Sequence, residues 1–252
     1  MSQNLKIQDV VILAAGKGTR LKNITENLPK ALVPVANKPI VLHVLEFLNQ
    51  LGPLRVHFAL GFCGEAIRDF CAKQNLENLS FHFYENDLYD QTNNAYSLHQ
   101  ITKDLNRAFV LIDGDLILDK ATLEQALCSE QSQLFCDTRV DRLDEEAMKV
   151  LCDSPDSQSI TKISKKLSIA GSQGEYIGLL SLQADWATAL AKQLHTDMQN
   201  KDYWNDYYED ALQRILDSEQ SLSPLQLTCI GESAWCEIDD QDDLDRAHLL
   251  FK

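Results

Sequence analysis

Residues 13–30 read LAAGKGTRLKNITENLPK, and this stretch decides the predicted fold. It follows the apolar run 10–13 and precedes a second apolar segment, which is the order strand, glycine-rich turn, helix. Gly16 and Gly18 let the backbone bend sharply and bring its N–H groups close to anionic oxygens. Arg20 and Lys30 add two cations that can bind the same polyanion. The stretch therefore predicts a phosphate-binding loop at the end of a first strand.

The composition of the 252-residue chain predicts a soluble globular protein, with 44% hydrophobic and 24% charged residues. The formal net charge is −15, so we expect no nucleic-acid partner, because phosphate binding needs clustered Lys and Arg. No apolar run reaches eighteen residues, so no membrane span is expected. The start of the chain lacks the layout of a signal peptide, and the seven cysteines include no CxxC pair. We therefore expect free thiols and a cytoplasmic location.

Strands and helices alternate through the first half, which predicts a parallel sheet with helices on both faces. The predicted strands are 56–60, 79–84, 108–112, 133–140, 148–152, 159–163, 175–182, 225–230 and 234–238. The predicted helices are 38–51, 65–74, 92 or 93 to 101, 185–194, 206–216 and 242–250. Asp113 and Asp115 follow the strand at 108–112, and open α/β sheets bind ligands at the carboxyl ends of their strands. The fold predicted is a single α/β domain over 1–252 with a Rossmann-like, mostly parallel sheet.

The loop differs from two well-known phosphate-binding motifs. Residue 21 is Leu where G-x-G-x-x-G requires its third Gly, and no Gly-Lys-Ser/Thr follows. The order Leu-Ala-Ala-Gly-x-Gly-Thr-Arg followed by Pro29-Lys30 resembles the signature of the nucleotidyltransferase family that joins an NTP to a sugar phosphate or an alcohol phosphate. The resemblance extends to Asp115 in LIDGDLI and to WCEIDDQDDLDRA near the C-terminus.

Within that family, three segments resemble the cytidylyltransferases that act on phosphocholine and related phospho- or phosphono-alcohols. They are TNNAYSL (92–98), GEYIGLLSL (174–182) and YYEDAL (207–212). The sugar-nucleotide branch has Glu-Lys-Pro where this chain has Ser164-Lys165-Lys166. The resemblance implies a nucleotide-binding half at about 1–120, an acceptor-binding C-terminal half at about 121–252, and transfer of a cytidylyl group from CTP. The alternatives are a sugar-1-phosphate nucleotidyltransferase and a non-catalytic nucleotide-sensing protein, although intact Arg20, Lys30 and Asp115 argue against the latter.

The resemblance also implies roles for individual residues around the nucleotide. Lys30 and Arg20 are the expected catalytic cations. Nucleotide contacts are expected from the loop and from three later residues: Leu13, Ala14, Ala15, Gly16, Lys17, Gly18, Thr19, Asn93, Asn94 and Asp113. Asn93 and Asn94 equally fit a helix N-cap and its neighbour, which is compatible with a base contact. Asp113 shares a strand face with Asp115 and is expected to orient the ribose or the water ligands of the metal.

The expected cofactor is Mg²⁺, which takes hard oxygen ligands and bridges phosphates. Asp115 is the first ligand. The second is Glu237 or Asp239, because residues two apart on an extended segment share a face.

The acceptor pocket is expected in the second half of the chain. A choline-type head group needs aromatic faces and a carboxylate. The residues expected to bind the acceptor are Lys165, Glu175, Tyr176, Tyr208 and Asp210, within a wider set of candidate aromatic residues: Tyr84, Tyr89, Tyr96, Trp186, Tyr203, Trp204 and Tyr207. The partners expected are CTP and a small anionic acceptor. Phosphocholine, phosphoethanolamine, 2-aminoethylphosphonate and a phosphorylated amide remain open, as does a homo-oligomeric state.

Overall fold

The computed structural model describes residues 5–218 and 221–251, and a nine-stranded sheet forms its centre. The strands are β1 (Asp9–Ala14), β2 (Pro34–Val35), β3 (Lys38–Pro39), β4 (Leu54–Leu60), β5 (Leu79–Glu85), β6 (Phe109–Asp113), β7 (Leu116–Leu118), β8 (Gln133–Asp137), β9 (Lys149–Cys152), β10 (Ile160–Ser164), β11 (Gly174–Leu182), β12 (Gln226–Cys229) and β13 (Trp235–Glu237). The α-helices are α1 (Ile40–Leu51), α2 (Gly64–Lys73), α3 (Asn94–Thr102), α4 (Lys120–Cys128), α5 (Ala184–Asp197), α6 (Tyr208–Leu216) and α7 (Gln241–Leu250).

The first half of the chain supplies the parallel part of the sheet, in the order β6-β1-β4-β5. On the other side of β6 lies β11, which runs antiparallel to it and also pairs with β8 and β9. The predicted α/β class with a Rossmann-like, mostly parallel sheet is confirmed. Because β11 pairs with β6, one sheet contains strands from both halves of the sequence.

The helices cover both faces of the sheet, as predicted. Val10 and Ile12 of β1 pack in one core with apolar residues of α1, α2 and α4. Val11, which alternates with them along the strand, packs in a second core with α3, α5 and α6. A smaller core under α7 includes Ile117 of β7 and Ile238. The helices pack on the two faces of the sheet, so the carboxyl ends of β1 and β6 remain available to form a binding site.

Several elements differ from the predictions by two or more residues. The helix expected from residue 38 begins at Ile40, because Lys38–Pro39 pairs with Pro34–Val35 in a small hairpin. The glycine-rich loop leads into a 3-10 helix, Thr19–Thr25, and not directly into an α-helix. The strand expected over 133–140 ends at Asp137, whose side chain binds both the backbone N–H and the guanidinium of Arg139. The sequence patterns predict neither β7 nor α4, which both lie between predicted elements.

An ion network joins the amino ends of the parallel strands, away from the cavity described below. Asp9 is buried and accepts two hydrogen bonds from each guanidinium of Arg55 and Arg107, and contacts His57 at 2.8 Å. These cations outweigh burial and hold the pKa of Asp9 well below its usual range. The network links β1, β4 and the segment that leads into β6.

Candidate active site

A cavity of about 340 Å³ opens at the carboxyl ends of β1 and β6, where parallel α/β sheets bind their ligands. Its wall contains most of the residues predicted for the nucleotide and the metal: Leu13, Ala15, Gly16, Gly18, Thr19, Arg20, Lys30, Asn93, Asn94, Asp113, Asp115, Glu237 and Asp239. Ala14 and Lys17 are not part of this wall, and the Lys17 ammonium lies 5.2 Å from the ring centroid of Phe62. The structure thus brings together the loop, the acids after β6 and the acids near the C-terminus.

Gly18 shapes the glycine-rich loop. Its φ of 63° lies in the left-handed region, and it caps the 3-10 helix that begins at Thr19. A Cβ at this position would lie 3.1 Å from the Cβ and Cγ atoms of Lys30. The carbonyl of Gly18 accepts hydrogen bonds from the N–H of Leu21 and the hydroxyl of Thr25. The loop therefore packs directly on the alkyl chain of Lys30.

Lys30 lies between two carboxylates at the base of the cavity. Its Nζ is 2.5 Å from Oδ2 of Asp115 and 2.6 Å from Oδ1 of Asp239. Burial disfavours the ammonium, but the two acids outweigh it and raise the pKa of Lys30 above its usual range. Arg20 binds the other oxygen of Asp239 at 2.7 Å from a more exposed position. Both predicted cations thus meet at Asp239.

The three predicted metal-binding acids form one cluster. Asp115, Glu237 and Asp239 each offer a carboxylate oxygen, and these oxygens lie within 4.8 Å of one another. Pairing of β13 with β7 causes this proximity, because Glu237 lies opposite Leu116 and the N–H of Ile238 donates to the carbonyl of Asp115. Sequence patterns did not indicate β7.

The two C-terminal acids of this cluster differ in pKa. Glu237 opens onto the cavity, yet protein surrounds its carboxylate on the other sides. This desolvation, with the nearby charges of Asp115 and Asp239, raises the pKa of Glu237 to about 8. Burial acts on Asp239 in the same direction, but Lys30 and Arg20 outweigh it and lower the pKa of Asp239. Asp239 is therefore held as a carboxylate by its cations, whereas no described residue forms an ion pair with Glu237.

Asp113 forms the back of the cavity. Burial, followed by the charges of Glu209, Asp115 and Glu237, raises its pKa well above the usual range. The hydroxyl of Tyr208 lies 3.3 Å from Oδ2 of Asp113 and donates to it. Gly178, at a register shift in β11, has a φ of 81°, and a Cβ there would lie 2.7 Å from that same oxygen. The irregularity in β11 is what makes room for the Asp113 carboxylate.

The residues predicted for the acceptor occupy different places. Lys165 lies in the cavity wall, and its Nζ is 5.2 Å from the ring centroid of Tyr207, which also lines the cavity. Tyr176 and Tyr208 are buried behind the wall, with their hydroxyls 2.8 Å apart. Asp210 accepts a hydrogen bond from the N–H of Tyr207 at the start of α6.

Glu175 also lies outside the wall. Burial and the nearby Asp144 and Asp137 raise the pKa of Glu175 to about 7. Of the wider aromatic set, Tyr89 and Tyr207 line the cavity. The acceptor roles of Lys165, Glu175, Tyr176, Tyr208 and Asp210 stay predictions.

Two residues near the cavity were not singled out from the sequence. Asn86 is buried, accepts a hydrogen bond from the N–H of Leu88, and donates to the hydroxyls of Thr92 and Ser97 at 3.0 Å each. Both hydroxyl residues belong to the cavity wall. The sequence signal for Asn86 is weak, because an Asn after a strand is equally typical of a turn.

Glu209 is the second such residue, although it lies in the segment YYEDAL. It is 5% exposed, and its Oε2 has no hydrogen-bond partner among the described residues. Burial first, and then the charge of Asp210, raises the pKa of Glu209 to about 8. This corner of the site, beside Asp113 and Tyr208, therefore contains a buried carboxyl oxygen without a hydrogen-bond partner among the described residues.

Residues 10–196 match the model of the MobA-like NTP transferase domain, and the chain belongs to this family. The choline-phosphate cytidylyltransferase of Streptococcus pneumoniae is 40% identical over 110 residues, which cover 44% of this chain and 45% of that protein. The chain thus matches about half the length of this relative. The CTP:phosphoglutamine cytidylyltransferase of Campylobacter jejuni is 25% identical over 94% of this chain and 98% of its own.

The fold is shared with a solved CTP:phosphocholine cytidylyltransferase from Streptococcus pneumoniae. The TM-score is 0.75 at 22% identity, over 98% of this chain and all of that one. Within the residues that the structure describes, no helix is both long and apolar enough to cross a membrane.

Proposed function

We propose that this chain transfers a cytidylyl group from CTP to a phosphorylated or phosphonate small alcohol, releasing pyrophosphate. The observation that carries the proposal is the position of Lys30, between the glycine-rich loop and the carboxylates of Asp115 and Asp239. The names of the two cytidylyltransferase relatives support CTP as the donor and a phosphorylated small molecule as the acceptor.

The chemistry needs positioning more than acid–base catalysis. The acceptor oxygen is already anionic, so no general base is required. It forms a bond to the α-phosphorus of CTP while the bond from that phosphorus to the bridging oxygen breaks, and pyrophosphate leaves with the electron pair. Negative charge builds on the α-phosphoryl oxygens and on the leaving group, so fixed cations and donors lower the barrier. Lys30, Arg20 and the backbone N–H groups of 16–19 are placed to do so.

The carboxylates fit the divalent cation that the family resemblance implies. Asp115, Glu237 and Asp239 offer hard oxygen ligands close together, as Mg²⁺ requires. The three carboxylates of this cluster carry one more formal charge than Lys30 and Arg20 balance. When bound there, Mg²⁺ would supply positive charge to the phosphate oxygens. Lys30 would remain beside the same carboxylates, which fixes its ammonium at the reacting end of the cavity.

We place the acceptor on the side of the cavity that Lys165 and Tyr207 form. Lys165 supplies a cation for the phosphate or phosphonate group, and the ring of Tyr207 offers an aromatic face. A cation–π contact to this ring favours an acceptor with a positively charged head group over a neutral hexose.

A matrix of pyrophosphate-release assays tests the proposal. CTP, UTP and GTP are each combined with phosphocholine, phosphoethanolamine, 2-aminoethylphosphonate and a hexose 1-phosphate, with Mg²⁺ or with EDTA. We expect release with CTP and one of the first three acceptors, and none with EDTA. Release with the hexose phosphate alone would identify a sugar-1-phosphate nucleotidyltransferase instead. Nucleotide binding without release in any combination would favour the non-catalytic, nucleotide-sensing alternative.

A further inference from the structure

The beginning of α3 is joined to the segment that leads into α6. The N–H of Asn93 donates to the carbonyl of Trp204 at 2.9 Å, and the side-chain amide of Asn93 contacts the carbonyl of Asn205 at 3.3 Å. One turn further along α3, the ring of Tyr96 meets that of Trp204 edge-on at 5.5 Å. These contacts connect the half predicted to bind the nucleotide with the half predicted to bind the acceptor.

Asn94 makes a further contact between these two segments, and this contact reaches α6 itself. Its Oδ1 accepts a hydrogen bond from the N–H of Tyr208 at 2.9 Å. Tyr208 is the first residue of α6, and the first N–H groups of a helix have no acceptor within the helix. The N-cap of α3 is Asn93, which accepts from the N–H of Asn94. The side chain of Asn94 therefore caps a different helix from the one it begins.

The orientation of the Asn94 amide follows from this contact. A backbone N–H can only donate, so the oxygen of the amide must face Tyr208 and the NH₂ group must face away. Among the described residues, no side chain or carbonyl accepts from that NH₂ group, and Asn94 belongs to the cavity wall. The side chain thus spans the distance between the cavity and the amino end of α6.

The amino end of α6 carries the acceptor side of the cavity. Tyr207 precedes the helix and lies under Lys165, and Tyr208 donates its hydroxyl to Asp113. A shift of this end of α6 would move both side chains relative to the nucleotide. No hydrogen bond or ion pair of the described residues joins Asn94 to the loop 13–20 or to Lys30, so the triphosphate side would stay in place.

We propose that Asn94 is a positioning residue of the acceptor site, and not a contact to the nucleobase. It holds the amino end of α6, and through it Tyr207 and Tyr208, at a fixed place beside the nucleotide. The inference rests on the proposed transferase function for its kinetic consequence, but the tether itself is a structural statement that stands apart from turnover.

The test compares Asn94→Ala with Asn94→Asp, using Gln100→Ala on the same helix as a control. Steady-state kinetics with CTP and phosphocholine, or 2-aminoethylphosphonate where the wild type prefers it, give both KM values. For Asn94→Ala we expect the acceptor KM to rise about tenfold or more and the CTP KM to change by a clearly smaller factor, because only the hydroxyl of Tyr208 reaches the nucleotide side, at Asp113. The Gln100→Ala variant should leave both values unchanged. Asn94→Ser has a smaller polar side chain that cannot reach Tyr208, so it should give the same difference between the changes in the two KM values. It replaces the alanine variant if that variant folds poorly.

Hydrogen exchange supplies a second readout that does not depend on turnover. The amide of Tyr208 should lose protection in Asn94→Ala and keep it in Asn94→Asp, because the aspartate retains the accepting oxygen. Equal rises in both KM values, an unchanged acceptor KM, or an unchanged exchange rate of Tyr208 in Asn94→Ala would each overturn the inference. If the wild type releases no pyrophosphate, the proposed function fails, while the exchange of Tyr208 still decides whether Asn94 holds α6.

Discussion

At the scale of single residues, the site depends on the ammonium of Lys30, which is shared between the carboxylates of Asp115 and Asp239. Lys30 binds two carboxylates of the protein itself, and its side chain is only 12% exposed. An ammonium held this firmly loses little freedom when a triphosphate arrives, so its favourable interaction with developing negative charge is largely preorganised. Arg20, at 66% exposure, is held less rigidly and faces the outer part of the cavity.

Lys30→Ala should reduce kcat/KM by about 10²–10³-fold, the loss typical of one preorganised donor to a developing oxyanion. Pyrophosphate release at saturating Mg²⁺ measures it. The matched control is Lys38→Ala, which removes a lysine that pairs with Glu46 on the surface at 2.6 Å. Turnover of Lys30→Ala within threefold of the control, about half a logarithmic unit, would contradict the assignment of the loop as the triphosphate site.

Gly178→Ala tests the fit of β11 against Asp113. Any side chain at a φ of 81° is strained, and here the Cβ would also lie 2.7 Å from the Asp113 carboxylate. Gly171→Ala is the control, because Gly171 has a φ of 94° with open space around it. We expect backbone strain of about 1–2 kcal/mol in both variants by urea unfolding. Weakened CTP binding should appear in Gly178→Ala alone, and equal binding in the two variants would show that the position of Asp113 does not matter.

At the scale of elements, the sequence predicts the elements that have a clear period and misses those that do not. The glycine-rich loop, β6 and Asp115 follow from local patterns, because apolar runs and turn residues mark them directly. The strand β7 has three residues, too short for a period, and is not predicted, whereas the strand predicted at 234–238 contains β13. The pairing of β13 with β7, which no local pattern indicates, brings Glu237 beside Asp115. The contact between Asn94 and Tyr208 spans 114 residues, and no local pattern encodes a partner that distant.

The helix α3 also contains a histidine, His99, whose pKa is lower in the folded chain than in the unfolded one. His99 is 7% exposed, its Nδ1 has no hydrogen-bond partner among the described residues, and its ring lies 5.8 Å from that of His195 of α5, tilted by 45°. Burial first, and then the charges of Lys103 and His195, lowers the pKa of His99 to about 4. The unfolded chain, with a histidine pKa near 6.5, therefore binds a proton in a range of pH where the folded chain does not.

The sign of the pH dependence follows. Stability linked to His99 is fully present above about pH 6.5 and is lost as the pH falls from there towards 4, by roughly 3 kcal/mol. Between pH 7 and pH 4, the free energy of unfolding should drop in both proteins, but the drop in His99→Phe should be smaller than in the wild type by that amount. Urea unfolding at each pH measures both drops. His43→Phe on α1 is the control. An equally steep fall in wild type and His99→Phe would mean that His99 is protonated in the folded protein.

At the scale of the whole molecule, an acidic protein binds a highly anionic substrate. The formal net charge is −15, whereas the cations that face the cavity are Arg20, Lys30 and Lys165. Cations in direct contact with the phosphates of CTP act well within the screening length of about 10 Å at 0.1 M salt, whereas the distant acids of the surface act beyond it. Salt should therefore weaken the repulsion of the whole surface more than the attraction of the cavity.

It follows that kcat/KM for CTP should rise by about two- to fivefold between 10 and 150 mM NaCl at constant free Mg²⁺, whereas binding sites dominated by cations lose affinity over this range. The variant Glu77→Lys separates the effect of the overall surface charge from that of the cavity cations, because Glu77 is exposed and belongs to no described ion pair near the cavity. Replacing this negative charge with a positive one should raise kcat/KM at 10 mM NaCl and flatten its salt dependence. A kcat/KM that falls steadily with salt in the wild type would mean that local cations, and not the net charge, govern the encounter with CTP.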